Sequence, residues 1–297
     1  MKNTIKTPIS DLKDQIIARF ENTNPKFLEL AAKMIDESII KRGIRWDYSN
    51  GNIRSPHILD GSIYIQELFL CFQWIICYYG LVIYDEAVVK HYENEQQGAN
   101  NIINKELVNI CEEFLEYAIS LVYGYSEWDT KKYPSPMNDI TGNDYHLKAN
   151  QLFLNAINYI MCHEFAHAEL KHAECRGKKD PQEIENEADK RAYDLMLDGC
   201  DGDNEMSIKM GILMALCSLL MLTPKPVKGG SHPMAHHRIK IYLEYIKPDE
   251  KSQLWSVACL FLGVWDMRYS KFNDFPDNVD THKEMFYKVI DEIDKSL

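Results

Sequence analysis

Residues 156–172, AINYIMCHEFAHAELKH, decide how this chain is read. Phe153, Ala156, Ile157 and Ile160 recur at helical spacing, so a buried helix is predicted over residues 150–172. His163 and His167 lie four residues apart on it. Both imidazoles then leave one face about a turn apart, which is the bite two ligands need on a tetrahedral metal ion. Glu164 follows the first histidine, where its carboxylate sits beside a metal without binding it and can take a proton from a metal-bound water. The alternative is a pair of hydrogen-bonded core histidines with a capped glutamate. Because a bare five-residue motif recurs by chance, the choice rests on what else the chain supplies.

A third ligand is needed. The metzincin solution requires Gly and His at positions 170 and 173, and this chain has Leu170 and Ala173. The segment 183–197, EIENEADKRAYDLML, offers a carboxylate instead. Glu185, Ala188, Asp189 and Ala192 share one helical face, on which the alanines permit close approach. Glu185 can reach the metal, and Asp189, one turn on, can accept a hydrogen bond from a ligand histidine. Glu187, beside Lys190, Arg191 and Asp194, reads as a solvated residue. Further along, Ser231-His232-Pro233 is followed by Arg238. His232, at a helix start beside Gly229-Gly230, can donate to the oxyanion formed when a carbonyl is attacked, or else serve only as a capping surface residue. His236 and His237 read as surface or supporting residues. His172 reads either as support for a ligand or as an exposed helix-end histidine.

Composition frames these motifs. The 297 residues are 45% hydrophobic and 26% charged with a net charge of −12, a globular balance that excludes disorder and makes nucleic acid an unfavourable partner. Eight cysteines include no CxxC pair, and the opening MKNTIKTPISDLKDQ has no apolar signal region, so a cytoplasmic setting is expected, either free or peripheral to the inner membrane. Two apolar segments, 68–84 and 208–222, are broken by polar residues or too short to span a bilayer. They are expected to be buried core helices, with no spanning segment.

The fold expected is α+β, mostly α-helical, with a metallopeptidase-like core and a small sheet confined to residues 44–66 and 120–145. Asn24-Pro25 opens a helix presenting Leu28, Ala31, Ala32, Ile35 and Ile39 on one face, and Asn50-Gly51 reads as a hairpin turn. The proline-bearing stretch 127–144 reads as a loop. It divides residues 1–140, a mainly helical cover and substrate-selecting region, from residues 141–297, the catalytic region, in what is expected to be one compact unit.

The ordered motifs HEFAH, ENEAD and SHPMAHHRI resemble those of gluzincin metallopeptidases, including the HtpX-like and prenyl-protein zinc endopeptidases, over about residues 150–245. The length, and the motif's position in mid-chain, look more like the Lit phage-exclusion peptidases. That resemblance implies a zinc endopeptidase in which His163, His167 and Glu185 bind Zn²⁺, Glu164 is the general base, His232 stabilises the oxyanion and Asp189 orients a ligand. It further implies elongation factor Tu as the protein substrate, a phage-derived activating peptide and a role in abortive infection. Repressor-cleaving or quality-control metallopeptidases are the rival enzymes. A non-catalytic partner-binding protein with a structural metal is the rival from another class; it would need four protein ligands and no open position.

Overall fold

The computed structural model describes residues 6–90, 92, 103–175, 177–224, 233–269 and 279–296. Among these are ten α-helices and one three-stranded sheet, in agreement with a mostly helical α+β fold. The helices are α1 (Lys13–Glu21), α2 (Phe27–Asp36), α3 (Glu67–Tyr84), α4 (Lys105–Ser120), α5 (Tyr145–Glu169), α6 (Pro181–Leu197), α7 (Gly202–Met221), α8 (Ala235–Ile246), α9 (Gln253–Tyr269) and α10 (His282–Lys295). The strands are β1 (Ile44–Asp47), β2 (His57–Leu59) and β3 (Ser62–Gln66).

Helix α3 is apolar all round, and a helix of that kind must be surrounded. By length and composition, Glu67–Val89 and Asn204–Met221 could each cross a membrane, yet 89% and 61% of their apolar windows are buried against protein. Their hydrophobicity is thus largely satisfied by the core they share with α5. The buried Glu67 at the head of α3 ties down the N-terminus. It accepts from the Thr7 hydroxyl at 2.6 Å and the Ser10 hydroxyl at 2.9 Å, and it pairs with Lys13.

Helix α5 is the spine of the molecule, buried along most of Tyr145–Ala166 and flanked by α1, α3, α6 and α7. Its approach to α7 depends on Gly211. A Cβ there would lie 2.3 Å from Asn155 Cβ and 3.1 Å from the Asn155 carbonyl carbon, so only glycine allows this spacing. Asn155 uses the same contact to donate to the Ser207 carbonyl and hydroxyl at 3.1 and 3.0 Å. Helix α6 begins at the Asp180 cap, whose side chain accepts from Gln182 N–H, and Gly199, at φ 75°, lies just beyond its end.

The sheet departs from expectation. Strand β3 is central, parallel to β1 and antiparallel to β2. Its hairpin turns at Asp60-Gly61, with φ of 48° and 74°, and not at Asn50-Gly51. Both dipeptides suit a turn with two positive φ values. The flanks decide, since Ile58-Leu59 and Ser62-Ile63 can pair directly across two residues whereas β1 needs a longer crossover to run parallel. In residues 120–145 the described residues hold only an isolated bridge between Ser135 and Asn138. Helix α2 also turns differently than expected: it buries Phe27 and Met34 and leaves Leu28 54% exposed.

Candidate active site

Helix α5 presents His163 and His167, and α6 brings Glu185 against them. His163 Nε2 and His167 Nε2 are 3.1 Å apart, and Glu185 oxygens lie 3.3 Å from the first and 3.6 Å from the second. A tetrahedral ion with bonds of about 2.0–2.1 Å holds its ligand atoms about 3.3 Å from one another, so these donors fit one such ion. Two imidazole nitrogens this close need either a shared proton or a cation between them. The buried His163 shows the same bias: burial would lower its pKa, but the Asp189 and Glu185 carboxylates outweigh that and push it up to about 9. His163, His167 and Glu185 thus form a group that could hold a metal ion.

Which ring nitrogen faces the centre is set from behind. His163 Nδ1 lies 2.8 Å from Asp189 Oδ1, so a proton on Nδ1 leaves the Nε2 lone pair free. Asp189 is itself fixed. It accepts from Tyr159 OH at 2.6 Å and from Arg238 Nε and Nη2 at 2.8 and 2.5 Å. Burial would raise the Asp189 carboxyl, but Arg238 and His163 hold it well below the ordinary carboxylate range.

His167 has its own support. Its Nδ1 lies 2.8 Å from Nδ1 of the buried His172, whose Nε2 is 3.3 Å from Glu187 Oε2. Glu187 also pairs with Lys179. It is therefore not simply solvated, as its neighbours in the sequence suggested, because the turn after α5 folds His172 and Lys179 back over α6.

Glu164, next to His163, is buried, and that burial raises its carboxyl pKa. Ile58 N–H on strand β2 donates to Glu164 Oε2 at 2.9 Å. A cleft of about 1270 Å³ opens over these groups, with His57, Ile58 and Gly61 on the sheet side and Pro233, Met234 and His236 on the other. His232 lies outside the described residues.

A comparison with protein families matches residues 63–258 to the family described as Peptidase U49. The match covers most of the central strand β3, the histidine helix α5 and helix α6, and leaves the edge strands β1 and β2 outside it. The chain belongs to the peptidase U49 family. This is the family of Lit-like phage-exclusion peptidases that the motifs resemble, and it makes the chain a peptidase with a protein substrate. No curated protein and no solved structure matches the chain. For this U49 peptidase the sequence pattern singled out the three clustered residues His163, His167 and Glu185 and the neighbouring Glu164. Tyr159, Arg238 and the Ile58 amide were not assigned roles from it, and of the two readings of His172 the structure favours the supporting one. Tyr159 and Arg238 lay in view near the motifs, whereas a backbone amide leaves no trace in side-chain patterns.

Proposed function

We propose that this U49 peptidase is a zinc-dependent endopeptidase. The convergence of His163, His167 and Glu185 on one point, with Glu164 alongside, carries the reading. Two imidazoles and a carboxylate suit Zn²⁺, and three protein ligands match a catalytic site with an open position rather than a structural one with four. When bound, Zn²⁺ supplies Lewis acidity that acidifies a water and polarises the scissile carbonyl.

Glu164 then accepts the proton of the attacking water. Ile58 N–H anchors its Oε2, so Oε1 is the atom left to receive the proton and pass it to the departing amine. Burial raises its carboxyl pKa, which favours the protonated form that returns the proton. Asp189 and His172 hold the two imidazoles in register throughout. His232 directly precedes Pro233, which lines the cleft, and this supports a role for it as a donor to the oxyanion. Residues 1–140 supply the β2 wall and select the protein.

From the resemblance to Lit-like phage-exclusion peptidases we propose elongation factor Tu as the substrate, cleaved in the cytoplasm during phage exclusion after a phage-derived peptide activates the enzyme. With a net charge of −12, long-range attraction to another acidic protein is weak, so recognition depends on local complementarity and on that activator. The test compares wild type with Glu164→Gln. Both should carry zinc, while new protein termini, mapped by mass spectrometry in infected cells, should appear only with wild type. An intact elongation factor beside a different newly cut protein overturns the substrate. Equal cleavage by Glu164→Gln overturns the mechanism.

A further inference from the structure

Helix α8 opens with two consecutive histidines whose rings both turn toward one carboxylate on α10. His236 Nε2 lies 3.2 Å, and His237 Nε2 2.7 Å, from Asp294 Oδ1. Neighbouring residues on a helix point about 100° apart, so two adjacent side chains meeting at a single atom is an uncommon arrangement. One ligand atom from each of the three residues lies within 4.8 Å of the others. His236 is fully enclosed, with 1% of its side chain exposed, while His237 and Asp294 are 33% and 39% exposed. The cluster thus has a fixed inner wall and an outer side open to solvent. Lys240, one turn along α8, extends over the Tyr287 ring at 5.9 Å.

We infer that His236, His237 and Asp294 form a second divalent-metal site, separate from the cluster on α5 and α6. Two imidazoles and one carboxylate oxygen favour a transition ion of the zinc, nickel or copper type over magnesium or calcium, which prefer all-oxygen shells. Three protein ligands with an open outer side leave room for water to complete the coordination. Such an ion replaces the hydrogen bonds to Asp294 and clamps the C-terminal helix onto α8. Arg238, the residue after His237, is the one that braces Asp189. The clamp therefore closes on the helix that supports the α5–α6 site, yet its ligands are independent of the zinc peptidase reading.

The test uses the full chain, stripped with chelator and titrated with Zn²⁺ by calorimetry, with Co²⁺ absorption as a second readout. Wild type should take two ions. His237→Ala and Asp294→Asn should each take one, and Glu185→Ala should retain the one held by His236, His237 and Asp294. Zn²⁺ should also raise the melting temperature of Glu185→Ala but not of the double variant Glu185→Ala/His237→Ala. The second site is overturned if wild type takes a single ion that His237→Ala and Asp294→Asn leave in place, or if Glu185→Ala takes none. Failure of the α5–α6 reading would appear differently, as a Glu185→Ala variant that binds like wild type. Asp294→Asn keeps the side-chain shape, so it tests the site even if His237→Ala folds poorly.

Discussion

Arg238 grips Asp189 with two hydrogen bonds, Nε to Oδ2 at 2.8 Å and Nη2 to Oδ1 at 2.5 Å, and both side chains are buried. Breaking such a pair from one side strands a charge in the interior, which typically costs about 3–5 kcal/mol. Here it also releases His163. Arg238→Ala and Asp189→Asn should therefore both lower the midpoint of urea unfolding, and Asp189→Asn should weaken metal binding by about 10–100-fold. Arg238→Lys keeps the charge without the fork and should fall between. If Arg238→Ala unfolds at the wild-type midpoint, the pair does not brace the site.

Glu185 and Glu187 are two residues apart on α6 and face different partners. Glu185 lies 3.3 and 3.6 Å from the ligand nitrogens, whereas Glu187 lies against His172 and Lys179. Loss of a ligand should empty the α5–α6 site, and loss of a supporting group should only weaken it by about 10–100-fold. In chelator competition, Glu185→Ala should fail to hold an ion at His163 and His167, with Glu187→Gln and His172→Ala retaining it at reduced affinity. Equal losses in Glu185→Ala and Glu187→Gln would show that the ligand is misassigned.

The contrast between these two glutamates also explains what could be read in advance. The i, i+4 spacing of His163 and His167 and the shared face of Glu185 and Asp189 are local consequences of helical period, so they were legible from residue order alone. The partners of Glu187 are not local. They depend on how residues 170–175, just after α5, carry His172 over α6, and no periodicity encodes that path. The same distinction separates the two turn dipeptides. Asn50-Gly51 and Asp60-Gly61 have similar conformational preferences, and pairing across β3 selects the second. Helix α2 shows the limit of pattern in another way, because Leu28 and Phe27 are both apolar and only the position of α5 decides that Phe27, packed on Phe165 at 4.9 Å, is the one buried.

Gly211 and Gly80 both lie in tight helix contacts, but what they face differs. A Cβ on Gly211 meets Asn155 Cβ and the backbone of α5, while one on Gly80 meets the Phe261 ring and the Met214 tip at 2.7–2.8 Å. Side-chain ends can move and a helix backbone cannot. Gly211→Ala should thus cost about 1–3 kcal/mol in unfolding free energy, the usual range for overpacking, and Gly80→Ala less. Because α5 carries two of the proposed ligands, His163 and His167, Gly211→Ala should also lower metal affinity. The reverse order of stabilities would mean that α5 and α7 can separate freely.

The amide of Ile58 offers a test of the general base that leaves every ligand untouched. In the β2–β3 pair, Leu59 and Ser62 flank a two-residue turn and form a hydrogen-bonded pair, so Ile58 N–H points away from β3, and it donates to Glu164 at 2.9 Å. Proline is tolerated at such an outward edge position and removes only that donor. A hydrogen bond to a charged group is worth about 1.5–3 kcal/mol, which converts to a roughly 10–100-fold loss of kcat if the bond orients the base in the transition state. Ile58→Pro should show that loss while keeping its metal content and melting temperature close to wild type. Leu59→Pro instead removes a ladder bond and should destabilise the sheet. If Ile58→Pro cleaves at the wild-type rate with its fold intact, the strand amide has no part in positioning Glu164, and the base must be oriented by the walls of its pocket alone.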